Sequence, residues 1–291
     1  MILVAGGTGR LGTALVQRLV DNGLPVRVLT REPGRAAHLV GGSVEVITAD
    51  VCNRATLREA FHGVELVVSA IQGFAGPGGV SPKTVDWEGN RNLIDAAASV
   101  GADVVLMSVV GARRDSPMEL FRMKHAAEDY LQASGVRWTI VRATAFLELW
   151  VELLEGTVKR SGRPLVFGRG NNPINFVSVV DVAALVERVV TDASTRGTTL
   201  QIGGPENLTF NEVAEALQAR AHRSGKPRHV PPAGLWMMAN TVGRMKPELG
   251  RQARAARAMD ADDMTFDLST SKVFPGLPRT SLAELLADRR A

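Results

Sequence analysis

The chain carries the run Gly6-Gly7-Thr8-Gly9-Arg10-Leu11-Gly12, with glycines at 6, 9 and 12. That spacing suits a phosphate cradle. The first glycine permits a tight strand-to-helix turn, the second lets backbone approach a pyrophosphate, and the third lets helix and strand pack closely. The N–H groups and dipole of the helix that follows favour an anion. The run follows the first apolar segment directly and opens an amphipathic one. We therefore read Gly6, Thr8, Gly9, Arg10, Leu11 and Gly12 as a dinucleotide-binding turn in preference to a purely structural βα turn. A second signal is Arg31 in Leu29-Thr30-Arg31-Glu32, where a carboxylate would select a free ribose 2′-OH. A guanidinium there pairs with a 2′-phosphate, so NADP(H) is expected over NAD(H). The alternative is a solvated arginine paired with Glu32 or Glu45. Asp50, followed by Val51, stands either to meet the adenine amino group or to cap the next helix. Ala70, past the fourth apolar run, is counted among the cofactor contacts. Ser108, ending the fifth run, is either a reacting hydroxyl or a turn cap.

The elements that must position these residues follow from the hydrophobic rhythm. Ile2–Ala5, Val26–Leu29, Val44–Thr48, Glu65–Ser69, Val104–Met107 and Trp138–Val141 are short apolar runs of the kind buried on both faces. They alternate with amphipathic stretches at Thr13–Asn22, Gly34–Val40, Ala55–Phe61, Val85–Val100 and Met118–Ser134. The order predicts an α/β fold, a doubly wound parallel sheet of Rossmann type. After Arg142 the rhythm changes. Helices are expected at Phe146–Lys159, Val182–Thr191, Phe210–Ala221 and Ser281–Arg290, and strands at Pro164–Phe167, Ile174–Val180 and Thr199–Ile202. Proline and glycine are scattered through 225–250, where Trp236, Met237 and Met238 read as core. The expected division is a dinucleotide-binding core at 1–145, with 174–203 returning to it. A smaller C-terminal substrate lobe at 146–173 and 204–291 is expected over the carboxyl edge of the sheet, where open α/β folds bind ligands.

Composition narrows the classes. Of the 291 residues, 45% are hydrophobic and 22% charged, which excludes disorder as the main state. The net charge is +4, and the only local basic concentration is Arg251, Arg254 and Arg257, read as a solvated helix face. Nucleic acid is not an expected partner. The best apolar stretch, Val64–Ile71, is interrupted by Glu65 and Ser69, so no spanning segment and no membrane partner are expected. Met1 leads straight into the first apolar run, and a cytoplasmic location is expected. Cys52 is the sole cysteine and the five histidines lack ligand spacing, so no metal site is expected.

Taken together, the glycine run, Leu29-Thr30-Arg31, Ala49-Asp50-Val51, Asn90-Arg91-Asn92-Leu93-Ile94-Asp95-Ala96-Ala97, Ser108-Val109-Val110-Gly111-Ala112 and Trp138-Thr139-Ile140-Val141-Arg142-Ala143 resemble a known family. It is the NmrA-like, NAD(P)H-binding group of atypical short-chain dehydrogenase/reductases. Asn175-Phe176-Val177-Ser178-Val179-Val180-Asp181-Val182-Ala183 and Gly203-Gly204-Pro205 fit the same group. The resemblance implies that Lys124 is the family lysine on the nicotinamide ribose, whereas its bland reading is an exposed helix lysine pairing with Glu128. The family's tyrosine position is Leu120. The sole tyrosine, Tyr130, points about 120° away from Lys124 around the helix. The family's serine or threonine falls at Val109, beside Ser108. Thr144 and Phe146 fall where the family lines its nicotinamide pocket, with Ala143 replacing the usual proline.

The family includes reductases of quinones, plant phenolics and triphenylmethane dyes, and non-enzymatic sensors of NADP redox state. The expectation is an NADPH-dependent reductase with Lys124 and Ser108 as catalytic residues. Its substrate would be an aromatic or conjugated, largely apolar small molecule, quinone-like or phenolic, reduced without the usual tyrosine. The alternative is a non-catalytic NADP(H)-binding regulator acting on a partner protein. His125 is read as structural before catalytic. The Gly73–Gly79 loop is either a lid or a plain surface loop. Asn207 or Thr209 is read as the cap of the helix from Phe210.

Overall fold

Continuous apolar runs become strands and the stretches between them helices in the computed structural model, which describes residues 1–39, 44–76, 79–223, 225–268, 274 and 276–288. In chain order the elements begin β1 (Ile2–Ala5), α1 (Arg10–Asp21), β2 (Val26–Thr30), β3 (Val44–Thr48), α2 (Leu57–Ala60), β4 (Leu66–Ser69), α3 (Asn90–Val100), β5 (Asp103–Val109), α4 (Glu119–Ala133) and β6 (Trp138–Ala143). They continue β7 (Ala145–Phe146), α5 (Leu147–Ser161), β8 (Leu165–Phe167), β9 (Ile174–Val177), α6 (Val179–Thr191), β10 (Thr198–Ile202), β11 (Asn207–Leu208) and α7 (Phe210–Arg220). Last come β12 (Arg228–Val230), α8 (Pro232–Asn240), α9 (Val242–Met245), α10 (Pro247–Met259) and α11 (Leu282–Asp288). The expected ends at Val40 and Arg290, and Pro77 and Gly78 of the glycine-rich loop, lie outside the described residues.

The chain divides into two units. The first takes in Met1–Ala143 and Val179–Ile202. It holds a seven-stranded parallel sheet in the order β10-β6-β5-β4-β1-β2-β3. Leu3, Leu93, Leu106, Leu131 and Ile140 are fully buried in its core. On α1, Leu11, Leu15 and Leu19 recur every fourth residue and are buried, so that face lies inward. Before α3 the segment Pro82–Gly89 forms a π-helical stretch, started by a reciprocal cap between Ser81 and Thr84.

The second unit begins at Thr144–Ser178 and takes in most of the chain after Gly203. It holds a three-stranded sheet in the order β11-β9-β7 and a parallel pair of β12 and β8. Trp150, Phe210 and Phe176 stack in sequence, with centroids 4.8 and 5.7 Å apart. Two expectations are corrected here. The single strand Ile174–Val180, expected to return to the core sheet, is instead β9, paired with β11 and β7, followed by the start of α6 at Val179. The β-branched run misleads because α6 is buried around much of its girth, at Val179, Val182, Ala183 and Val186. The second correction is that Trp236 and Met237 are not core. They stand 55% and 57% exposed, while Leu235 and Ala239 are the buried residues of α8. The 225–250 stretch is largely helical because Pro232 and Pro247 occupy the first helical position, where proline lacks nothing the helix needs.

Candidate cofactor site

β2 and β3 are added on one side of β1, and β4 and β5 on the other. Such a reversal opens a crevice at the carboxyl ends of the strands. Gly6 and Ala70 meet there. Ala70 N donates to Ala5 O at 2.9 Å, and a Cβ on Gly6, at φ 83°, would stand 2.7 Å from Ala70 O. A Cβ on Gly12 would run into Gly6 O. Gly9 N donates to Gly6 O at 2.9 Å, and Gly9 O accepts from Thr13 N at 2.8 Å as α1 begins. The first turn of α1 carries no acidic side chain, and its N–H groups, Leu11 and Gly12 among them, find no acceptor within the helix. A backbone cradle with no Cβ in the way, closed by the positive end of a helix, fits a pyrophosphate. Thr8 is half-buried, Arg10 is exposed and Leu11 is buried.

Arg31 follows β2, is exposed, and makes no ion pair among the described residues. The paired-arginine alternative fails for both carboxylates. Glu45 pairs with Arg27 at 2.8 Å, and Glu32 makes no ion pair among the described residues. Arg31 is near enough to Cys52 for its charge to oppose the rise that burial and Asp50 impose on the thiol pKa. Asp50 Oδ1 accepts from Cys52 N at 2.9 Å, whereas the cap of the following helical turn is Asn53, accepting from Ala55 N at 3.1 Å. The capping alternative for Asp50 therefore falls away. Val51 is buried and its carbonyl accepts from Asn92 Nδ2 at 2.9 Å.

Lys124, on α4, is 3% exposed. The exposed-lysine alternative is excluded, because Glu128 pairs with Arg142 instead, through two bonds of 2.9 and 2.5 Å. Lys124 Nζ lies 3.0 Å from Asp86 Oδ1 and donates to Ile71 O at 3.0 Å. Asp86 is wholly buried, and its Oδ2 accepts from Gly73 N at 2.8 Å. Burial pushes the Asp86 carboxyl up from the ordinary value, against the pull of Lys124. Asn90 continues the network, donating to Asp86 O at 2.7 Å and accepting from Ser69 Oγ at 2.6 Å. Asp86 is the side chain that sequence reasoning missed. An acid between Val85 and Trp87 in a helical stretch is the one signal that pointed to it.

Ser108 lies near the carboxyl end of β5, buried, with an Oγ that has no hydrogen-bond partner among the described residues. Leu120 is buried. Tyr130 donates to Asp95 Oδ1 at 2.6 Å and sits edge-on to Trp87, at 5.7 Å between centroids. His125 lies 3.5 Å from Asp129 on its own helix. Thr144 and Phe146 belong to the second unit. Thr144 Oγ1 donates to Asn175 Oδ1 at 2.9 Å, and half-buried Phe146 ends β7. Thr209, with Glu212, makes the reciprocal cap of α7, while Asn207 Oδ1 accepts from Asn175 Nδ2 at 3.0 Å.

A family model of NAD(P)H-binding proteins matches residues 6–193, from the glycine turn through α6. The chain belongs to this family. Among its relatives in the NAD(P)H-binding family is an NAD(P)H azoreductase of Xenophilus azovorans, 29% identical over 77% of this chain and 74% of the relative. A photosystem II assembly factor of Synechocystis is 26% identical over 81% and 72%. The NADPH-dependent quinone oxidoreductase of Escherichia coli, solved with NADPH, shares the fold over the whole of both chains with a TM-score of 0.81 and 22% identity. The NmrA-like resemblance read from the motifs stands with these findings.

Proposed function

We infer that this NADP(H)-dependent oxidoreductase delivers hydride to a conjugated, largely apolar small molecule of quinone-like or phenolic type, without a catalytic tyrosine. The reading is carried by three groups on β5, α4 and the segment after β4. These are an ammonium tied to Asp86 and Ile71 O, an unpartnered Ser108 hydroxyl, and Leu120 at the tyrosine position. Reducing a simple ketone puts charge on oxygen and calls for a positioned acid, typically worth about 10²–10⁴-fold. Acceptors that delocalise the arriving charge need far less. Relatives named for azo and quinone reduction support this class.

When bound, the dinucleotide supplies the hydride. The 6–12 turn, bordered by Ala70, would hold its pyrophosphate, Arg31 its 2′-phosphate, and Asp50 with Val51 its adenine. Lys124 would hold the nicotinamide ribose, kept in place by Asp86. For Thr144 and Phe146 the assignment rests on the family resemblance alone. The test is NADPH oxidation across aliphatic ketones, quinones and cationic dyes. Conjugated acceptors are expected to react at least about 10²-fold faster, and efficient ketone turnover would refute the reading.

The burial of Lys124 and the lack of a tyrosine also favour a second reading, an NADP(H)-binding regulator acting on a partner protein. The photosystem II assembly factor among the relatives is in keeping with it. Tight NADPH binding with no turnover of any acceptor selects that reading.

A further inference from the structure

The second unit carries an apolar surface that its helices leave uncovered. In α8, Leu235 and Ala239 lie one turn apart and are buried, while Trp236 and Met237 point away from that stripe. The chain then turns into α9, which buries none of its residues, and Val242 and Met245 stand 42% and 87% exposed. Trp236 is the exposed one of the four tryptophans. Apolar side chains gathered in this way mark a contact surface.

The charge around the patch says what it contacts. Exposed Arg244 and Lys246 flank Met245. From Lys226 to Arg257 the sequence holds seven lysines and arginines against one acid, Glu248, although the whole chain carries only +4. Outside this segment the sequence sums to −2, so the cationic excess of the chain falls within it, and Arg244 and Lys246 bring it to the exposed apolar residues.

We propose that the α8–α9 face docks on an anionic lipid surface. Trp236, Met237, Val242 and Met245 enter the boundary between headgroups and acyl chains, and Arg244 and Lys246 meet the lipid phosphates. Tryptophan and basic residues bracketing an apolar face are the elements of interfacial binding. A second copy of the chain would bring one cationic rim against another, which repels. A side chain that protrudes as far as Met245 needs a matching pocket on a protein partner, whereas lipid yields around it. The absence of a spanning run does not bear on this mode. No helix among the described residues is long and apolar enough to cross a membrane, and docking of this kind lies in the interface plane. The proposal is independent of the reading of the cofactor site.

The experiment is co-sedimentation of the full chain with vesicles of phosphatidylcholine alone or mixed with phosphatidylserine, at low and raised salt, alongside tryptophan emission. Binding is expected to the mixed vesicles and to weaken with salt, with a blue shift that Trp236→Phe abolishes. Each basic residue near such a surface strengthens binding about fivefold, so Arg244→Glu with Lys246→Glu is expected to weaken it by about tenfold or more. Trp236→Ser with Met245→Ser is expected to do the same, with NADPH binding retained in both variants as the control for folding. No binding, equal binding to neutral vesicles, or variants that bind like wild type would overturn the proposal. So would a dimer that Met245→Ser dissociates, which assigns the face to a second copy. Equally, polyglutamate binding without vesicle binding assigns it to an acidic protein.

Discussion

Replacing Asp86 by alanine is expected to be far more damaging than replacing its partner. Asp86 is wholly buried and Lys124 is 3% exposed, so each charge depends on the other and on backbone groups, Gly73 N for the acid and Ile71 O for the ammonium. Removing the carboxylate strands the ammonium and leaves Gly73 N–H without its acceptor. Breaking a buried pair in this way costs about 3–5 kcal/mol, a large share of the roughly 5–15 kcal/mol that holds a typical protein folded. Lys124→Met leaves an acid that burial has already pushed up, and it relieves its own penalty by taking a proton while Gly73 keeps an acceptor. That loss is expected nearer about 1–3 kcal/mol, the worth of an unmade buried hydrogen bond. The double variant Asp86→Leu with Lys124→Met removes both charges and is expected to recover part of the Asp86→Ala loss. The assay is urea denaturation of the unliganded protein at neutral pH. Asp86→Ala within about 1 kcal/mol of wild type, or Lys124→Met costing more than Asp86→Ala, would refute the account.

Further outcomes are expected at Arg31, Ser108 and Tyr130. Arg31→Ala removes a charge-assisted contact worth about 1.5–3 kcal/mol, so calorimetric titration is expected to show NADPH affinity falling by about 10–150-fold with NADH affinity little changed. Equal losses for both cofactors would contradict the assignment. Ser108→Ala removes a buried hydroxyl that has no partner among the described residues, so stability is expected to hold or rise by up to about 1 kcal/mol. A fall in turnover in that well-folded variant would then report on the hydroxyl itself. Tyr130 is the sole tyrosine, so phenolate absorbance reports on it alone. Its hydrogen bond to Asp95 raises its pKa above the ordinary 10.0, and Asp95→Asn is expected to bring the titration back down. Because the folded-state pKa is raised, the phenol's contribution to stability is complete below pH 10 and is lost as pH rises through the shifted value. Tyr130→Phe is expected to leave acceptor reduction near wild type.

The parallel sheet is legible because its inner strands need apolar side chains on both faces, a pattern that survives in a single sequence. β1, β2 and β4 are buried at every position, whereas edge strand β3 is only partly covered, and its Glu45 faces a neighbour's arginine. Legibility falls where the same composition serves two structures. Ile174–Val180 reads as one strand from its β-branched residues, whereas its last two residues open α6, a helix buried around much of its girth. The proline- and glycine-rich 225–250 stretch yields no elements from sequence, because sequence alone does not say that Pro232 and Pro247 open helices.

At the cofactor site the same distinction holds between local and tertiary demands. Gly6 and Gly12 are legible because each answers a steric need set by residues and strands whose order the rhythm already gives. Lys124 is visible only through the family resemblance, and Asp86 only as an acid within a helical stretch, because their pairing depends on the π-helical stretch packing against α4. A buried carboxylate is costly unless something holds it, so its presence beside the family lysine implies a fixed partner. Fixing Lys124 through Asp86 and Ile71 O would give it one position from which to meet a ribose. On the proposed reading, a lysine held in that way suits acceptors that ask for orientation more than for an acid, in keeping with the missing tyrosine.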